Sequence, residues 1–473
     1  MLLALAALAL FYNLGVFPAL SGDEAWIGMF VTRVLKRGLY TPHEMNTYTG
    51  ALYAWGLAGV FKLAGGGVAQ RRCIGAAANT AALGLGGRWL ALLALGSVYY
   101  MTKSRLAWEV YALQPLLIGG CWWALTRRRP VLFVALVALG VQNHFIFISI
   151  PLSLILLYDR LEDDAGKRAA LAGLAASAVI YLVKPRLPEA GWQWYWLLLA
   201  ALPSLALVPW RLPRLPKALW WLVGAFAAWH GLALLQVLAG PVVWKRVISW
   251  DAPWWYDAPL YAWGLFLTGV LVWRGARAWH RKEDALALWP FAYMAVFLLF
   301  RHTSSLRYYS PLHFICLLAL ADGLARSSDE RVLRKLALGV ALLVQVPLWR
   351  ELVTPGDRAP LTFRTGWRLE NSWDFARKDA LFAAYDASGK CVLVQKNSFV
   401  DLPLFFHRET TGALPCEPGS FGADYRTDGN GPPWHQWDVQ PLLSSGNSRQ
   451  TSSKAESFKA SASVTTRPST AKP

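Results

Sequence analysis

Two adjacent carboxylates, Asp23 and Glu24 in Ser21-Gly22-Asp23-Glu24-Ala25-Trp26, follow directly on an apolar run that ends near Leu20. An acid beside lipid is costly and tends to serve a function. Such a group can deprotonate an acceptor hydroxyl or ligate a divalent cation. The plainer alternative is an interfacial helix start, with Ser21 as N-cap and two acids in the first turn. A second cluster reads Lys103-Ser104-Arg105-Leu106-Ala107-Trp108-Glu109, and a third runs from Arg301 through Arg307-Tyr308-Tyr309-Ser310-Pro311. Their basic side chains suit a phosphate or carboxylate, Arg through its planar fork and Lys as a point charge. Two alternatives stay open. Arg105 and Glu109 have the spacing of an i,i+4 helix pair, and Arg301 and Arg307 have the reach to touch lipid headgroups. Gln142-Asn143-His144 interrupts an apolar run, and polar groups at that depth need either a hydrogen-bonded break between helices or a water-filled cavity. The loop from Trp244 to Asp257 mixes aromatic faces with acids, which suits sugar stacking, although membrane interfaces collect Trp and Tyr in any case.

These clusters are separated by segments that need lipid as their solvent. In 473 residues, 55% are hydrophobic, 26 are Trp and only 16% are charged, beyond what an ordinary soluble domain carries. Runs long enough to cross about 30 Å of hydrocarbon lie near 1–20, 110–126, 131–142, 145–158, 169–183, 192–210, 217–240, 259–273, 285–300, 311–325 and 333–350. Residues 73–87 and 88–101 supply two more. They are too few for two full crossings at about 1.5 Å per residue, so one of the pair is tilted, short or partly re-entrant. The first run lacks the basic n-region and cleavage site of a signal peptide and is expected to be the first membrane helix.

Thirteen spans from a cytoplasmic start put Arg127–Arg129, Lys167–Arg168, Arg211–Lys217, Arg274–Lys282 and Arg326–Lys335 all on the inner side, as the positive-inside rule requires. The net charge of +18 is therefore mostly topology, and nucleic acid is excluded as the expected partner. Every cluster of the first paragraph falls on the other face. Residues 50–64 are apolar but short, and are expected to lie in the interface as a juxtamembrane helix. Residues 1–350 form the membrane domain, 351–443 a small extracytoplasmic soluble cap, and 444–473 a disordered tail of Ser, Thr, Ala and Lys. Cys391 and Cys416 are the only cysteines outside the spans, and whether they pair stays open. No nucleotide-binding signature is present, so ATP-driven transport lacks its usual mark.

The order of these motifs resembles that of the GT-C superfamily glycosyltransferases. It runs from the Asp-Glu-Ala after the first span through Thr49-Gly50-Ala51-Leu52-Tyr53-Ala54-Trp55, Ser104-Arg105-Leu106-Ala107-Trp108-Glu109 and Gln142-Asn143-His144 to Arg307-Tyr308-Tyr309-Ser310-Pro311. The likeness covers roughly residues 1–325 and is nearest to bacterial relatives of protein O-mannosyltransferases and of the lipid A aminoarabinose transferase. It implies an all-α polytopic fold and inverting transfer of a sugar from a polyprenyl-phosphate carrier to an acceptor outside the cytoplasm, in the bacterial cytoplasmic membrane. It implies Asp23 as general base with Glu24 beside it and Glu109 in the second outer loop. Lys103, Arg105, Arg301 and Arg307 would meet the carrier phosphate, and His144 and Tyr308 would line the same cavity. No cofactor is required, a divalent cation remains open, and the acceptor is a lipid, glycan or protein. A transporter or flippase for an anionic lipid is the alternative, using the same basic residues to pass a headgroup.

Overall fold

The computed structural model describes residues 1–15, 22–38, 50, 52–161, 163–183, 192–211, 254–281, 284–297 and 309–326, with isolated positions between 221 and 339 and short segments between 383 and 443. Helices dominate. They are α1 (Leu2–Phe11), α2 (Gly22–Arg37), α3 (Leu52–Ala64), α4 (Val68–Leu95), α5 (Val98–Lys103), α6 (Glu109–Ala112), α7 (Gln114–Thr126), α8 (Pro130–Asn143), α9 (Ser149–Leu156), α10 (Asp164–Val183), α11 (Trp192–Ala201), α12 (Trp254–Arg281), α13 (Ala285–Phe297) and α14 (Ser310–Arg326). Predicted spans 217–240 and 333–350 lie almost wholly outside the described residues, as do the tail and Cys416. The helical expectation needs one correction. The C-terminal segment carries a three-stranded sheet, with β1 (Lys390–Leu393) parallel to β2 (Glu417–Thr427) and β3 (Trp437–Leu443) antiparallel to it. Its Gly and Pro residues break helices and favour the turns between strands.

The main core is built from α1, α4, α7, α8, α9, α10, α13 and α14. Several of these helices are apolar on all sides. Leu3, Leu8 and Phe11 of α1 are exposed although Ala6, Ala9 and Leu10 are buried, and Val131, Leu132 and Leu139 of α8 are exposed although Phe133, Val134 and Val137 are buried. A helix apolar all round belongs in a large core or in a bilayer. Among the described residues, α10 alone is long and apolar enough by itself to cross a membrane. α2, α3, Leu106–Ala112 and Phe406 make a second, smaller core. There α3 buries Tyr53, Ala54, Leu57, Ala58 and Phe61 and leaves Leu63 exposed, the pattern of a helix lying on a surface.

The crowded stretch 73–101 folds back on itself. Gly87 sits inside α4 at φ 74°, ψ −167°, a region open essentially to glycine alone. The Ser104 hydroxyl donates to Asn79 Oδ1 at 2.9 Å, and the Tyr100 hydroxyl donates to the Asn79 carbonyl at 3.1 Å. A straight helix would carry Leu95 about 24 Å past Asn79, farther than Gly96–Tyr100 can return. The chain therefore reverses at Gly87 into a long arm and a short one, Arg88–Leu95, of only about 12 Å. Both ends of this hairpin meet the end of α1. Arg72 donates to the Leu14 carbonyl and Arg105 to those of Leu10 and Tyr12. The hairpin thus returns to the face it left, short as its second arm is. Replacing Gly87 with Ala is expected to cost about 1–3 kcal/mol, the usual range for such a backbone state. Thermal unfolding should show the drop, with Gly84→Ala unchanged as control, since its added Cβ makes only an ordinary contact 3.8 Å from Leu3.

Candidate active site

Where α1 ends, three segments far apart in sequence converge on one carboxylate. Glu24 lies in the first turn of α2 and is fully buried. Arg72, also fully buried, donates through Nε to Glu24 Oε1 and through Nη2 to Oε2, both at 2.8 Å, the two-pronged geometry that Arg and carboxylate favour. The Ala107 backbone N–H donates to the same Oε1 at 2.6 Å. Arg71 donates through Nη1 to the Glu24 carbonyl at 2.7 Å. Burial works against the ionised form of Glu24. Arg72, by charge and hydrogen bond, outweighs it together with Arg71 and the Ala107 amide, so the carboxyl titrates below its ordinary value. Burial, aided by the charge of Arg72 and opposed by Glu24, lowers Arg71 to about 9. The hub locks the start of α2 to the start of α4 and to the segment before α6.

Asp23 precedes Glu24 in that first turn but is only partly buried, so the two acids differ in surroundings. Lys103 ends α5, is 2% exposed, and places Nζ 5.3 Å from the centre of the Tyr111 ring. With Tyr99, Tyr100, Ser104, Ser310 and His313 it lines a cavity of about 10 Å³, room for about one water. Ser310 and His313 belong to α14, so α5 and the start of α14 share this cavity. Arg105 does not sit on a helix, so the spacing that would pair it with Glu109 does not apply. Its guanidinium instead donates to the carbonyls of Ala9, Leu10 and Tyr12, where the last turn of α1 leaves acceptors unmatched. Burial, with the charge of Arg72, lowers it to about 9. Glu109 opens α6.

His144 is 3% exposed and ends α8, with Nδ1 accepting from the Ile146 N–H at 3.1 Å, so the break after α8 is hydrogen-bonded. Gly50 donates to the Asn143 carbonyl at 3.1 Å, and a Cβ built on it would stand 1.6 Å from the Gln142 carbonyl oxygen. Only glycine lets the first loop lie this close to the third. Arg301, Arg307 and Tyr308 lie outside the described residues. Among the described residues no three His, Cys, Asp or Glu side chains gather to hold a metal ion.

Sequence reasoning passed over Arg71 and Arg72, the partners of Glu24. The signal was present, because both stand on the face where the positive-inside rule disfavours basic residues, the same ground on which Lys103 and Arg105 were selected.

The site and fold define a bundle of apolar helices with a buried charged hub at one end. Among solved structures similar to it is the oligosaccharyltransferase AglB of Archaeoglobus fulgidus in complex with an inhibitory peptide and a dolichol-phosphate. It shares 16% identity over 80% of this chain and 59% of its own, with a TM-score of 0.45. ArnT of Cupriavidus metallidurans in the apo state shares 16% identity over 87% of this chain and 75% of its own, again at 0.45. ArnT bound to undecaprenyl phosphate aligns over 85% and 84% at 14% identity and a TM-score of 0.33. The chain spans less than two thirds of the length of the archaeal enzymes. No protein-family model matches the sequence, and no curated protein does.

Proposed function

We propose that this chain is a membrane-embedded glycosyltransferase of about thirteen spans, moving a sugar from a polyprenyl-phosphate carrier to an acceptor outside the cytoplasm. Asp23 takes the proton from the acceptor hydroxyl as that oxygen attacks the anomeric carbon. The bond from the anomeric carbon to the phosphate oxygen breaks on the opposite face, inverting the centre and leaving the carrier as its phosphate. Lys103 and Arg307 hold that phosphate, with Arg301 nearby, and Arg105, fixed on carbonyls of α1, adds its charge. Such fixed positive charge stabilises a leaving group most where water is excluded. Glu109, His144 and Tyr308 complete the substrate site, and residues 351–443 form a small extracytoplasmic cap. The observation that carries the reading is the hub itself. Glu24, Arg72 and the Ala107 amide close the first outer loop on the second and leave Asp23 partly exposed, on the neighbouring segment to the buried Lys103.

The test is transfer by the purified protein in detergent, with radiolabelled sugars on polyprenyl phosphate offered to lipid, glycan and peptide acceptors. Label should pass to one acceptor class as free carrier phosphate accumulates. Label that stays on the carrier with every acceptor, while the intact carrier crosses the bilayer of reconstituted vesicles, would replace transfer by transport.

A further inference from the structure

Arg71 and Arg72 are neighbours in sequence, both fully buried, yet they use their guanidinium groups differently. Arg72 turns its Nε–Nη2 edge onto a carboxylate, the Glu24 side chain. Arg71 donates Nη1 to the Glu24 carbonyl and lays its flat face on the Phe406 ring, with Cζ 3.7 Å from the ring centre. Its own Nε and Nη2 have no hydrogen-bond partner among the described residues. That edge is the two-donor fork which binds carboxylate or phosphate in the plane of the guanidinium. A ring stacked on the face does not occupy the edge, and burial keeps bulk water from it. The nearest described carboxylate that could fill it, Glu24, already takes Arg72 and the Ala107 amide.

A second feature favours an anion here. Arg71 stands in the opening turns of α4, whose N-cap Gly67 offers no side-chain acceptor, so the positive end of the helix adds to the guanidinium charge. Gly28 makes room for the stack of Phe406 on Arg71. A Cβ on Gly28 would come within 2.4 Å of the Phe406 ring and 2.7 Å of Arg71 Nη1.

We propose that the Nε–Nη2 edge of Arg71 seats an oxyanion, a phosphate or carboxylate group, beneath the ring of Phe406. The site lies on the Glu24 hub and stands independently of glycosyl transfer. Because Arg71 is wholly buried, the anion enters as Phe406 swings aside. Its neighbour His407 pairs with Asp386 at 2.9 Å.

The full chain in detergent is titrated by calorimetry with inorganic phosphate and, separately, with acetate, at constant ionic strength. Wild type should saturate with at least one of them; preference for phosphate marks a phosphate-bearing ligand and preference for acetate a carboxylate. Arg71→Gln should weaken binding by about tenfold or more, and Arg71→Lys should also weaken it because an ammonium group has no fork. Phe406→Ala should speed association in stopped flow. If Arg71→Gln does not fold, Arg71→Lys and Phe406→Ala decide the matter. Wild-type affinity and stoichiometry in both Arg71 variants, or no binding of either anion by wild type, overturns the proposal. Asp23→Asn should bind the anion as wild type does, which separates this site from the transfer reaction.

Discussion

Asp23→Asn should lower glycosyl transfer by about 10²- to 10⁴-fold, the range general-base catalysis usually supplies, while the thermal unfolding midpoint should stay near that of wild type. The expectation follows from the contrast between two neighbouring acids. Glu24 is wholly enclosed and gives both oxygens to Arg72, one of them also to the Ala107 amide. A carboxylate so held is a poor base, because three hydrogen bonds stabilise its ionised form and its burial keeps an incoming hydroxyl away. Asp23 is only partly buried and lies in the same helical turn, so it can meet a hydroxyl that Glu24 cannot. Asparagine keeps the size and hydrogen-bonding reach and removes only the basicity. The loss should therefore fall on kcat, with little change in donor KM. Transfer that survives Asp23→Asn undiminished would move the base to Glu109, the carboxylate of the second outer loop.

The broad plan was legible because it rests on short-range rules. Apolar runs gave most helices near their observed positions, with 311–325 found as Ser310–Arg326 and 285–300 as Ala285–Phe297. The short amphipathic helix of the first outer loop was read from its length and flanks and found as Leu52–Ala64. Pairings between distant segments were not legible. Glu24 meets Arg72 across most of the first loop, and Arg105 reaches carbonyls of α1 that carry no side-chain signature in sequence. The i,i+4 spacing of Arg105 and Glu109 presumed a continuous helix, whereas turn residues separate α5 from α6. The reversal at Gly87 falls on the boundary drawn between 73–87 and 88–101, although the positive φ that makes it is a property of one glycine that hydropathy does not register. The sheet of the C-terminal segment escaped for a similar reason. Its strands are separated by long intervals, and the β1–β2 pairing is parallel.

Breaking the buried pair has the largest effect on stability. Glu24→Ala or Arg72→Ala should each cost about 3–5 kcal/mol, because each leaves an uncompensated charge in a site with no exposure. The two losses should not add. Glu24→Leu combined with Arg72→Met removes both charges and should be far less damaging than either single change, since most of the single-mutant cost is desolvated, unpaired charge. The pH dependence has a definite sign. The folded-state pKa of Glu24 is depressed, so its contribution is fully present above the unfolded value of about 4.3 and is lost as pH falls through the lower folded value. Wild type should therefore lose stability in acid more steeply than the Leu/Met double variant, with the curves parallel above about pH 5. Unfolding followed by the fluorescence of the 26 tryptophans supplies both measurements. Single losses under about 1 kcal/mol, or identical acid profiles, would mean that the hub does not hold the outer loops together. Asp23 would then lack the fixed position that its role as a base requires.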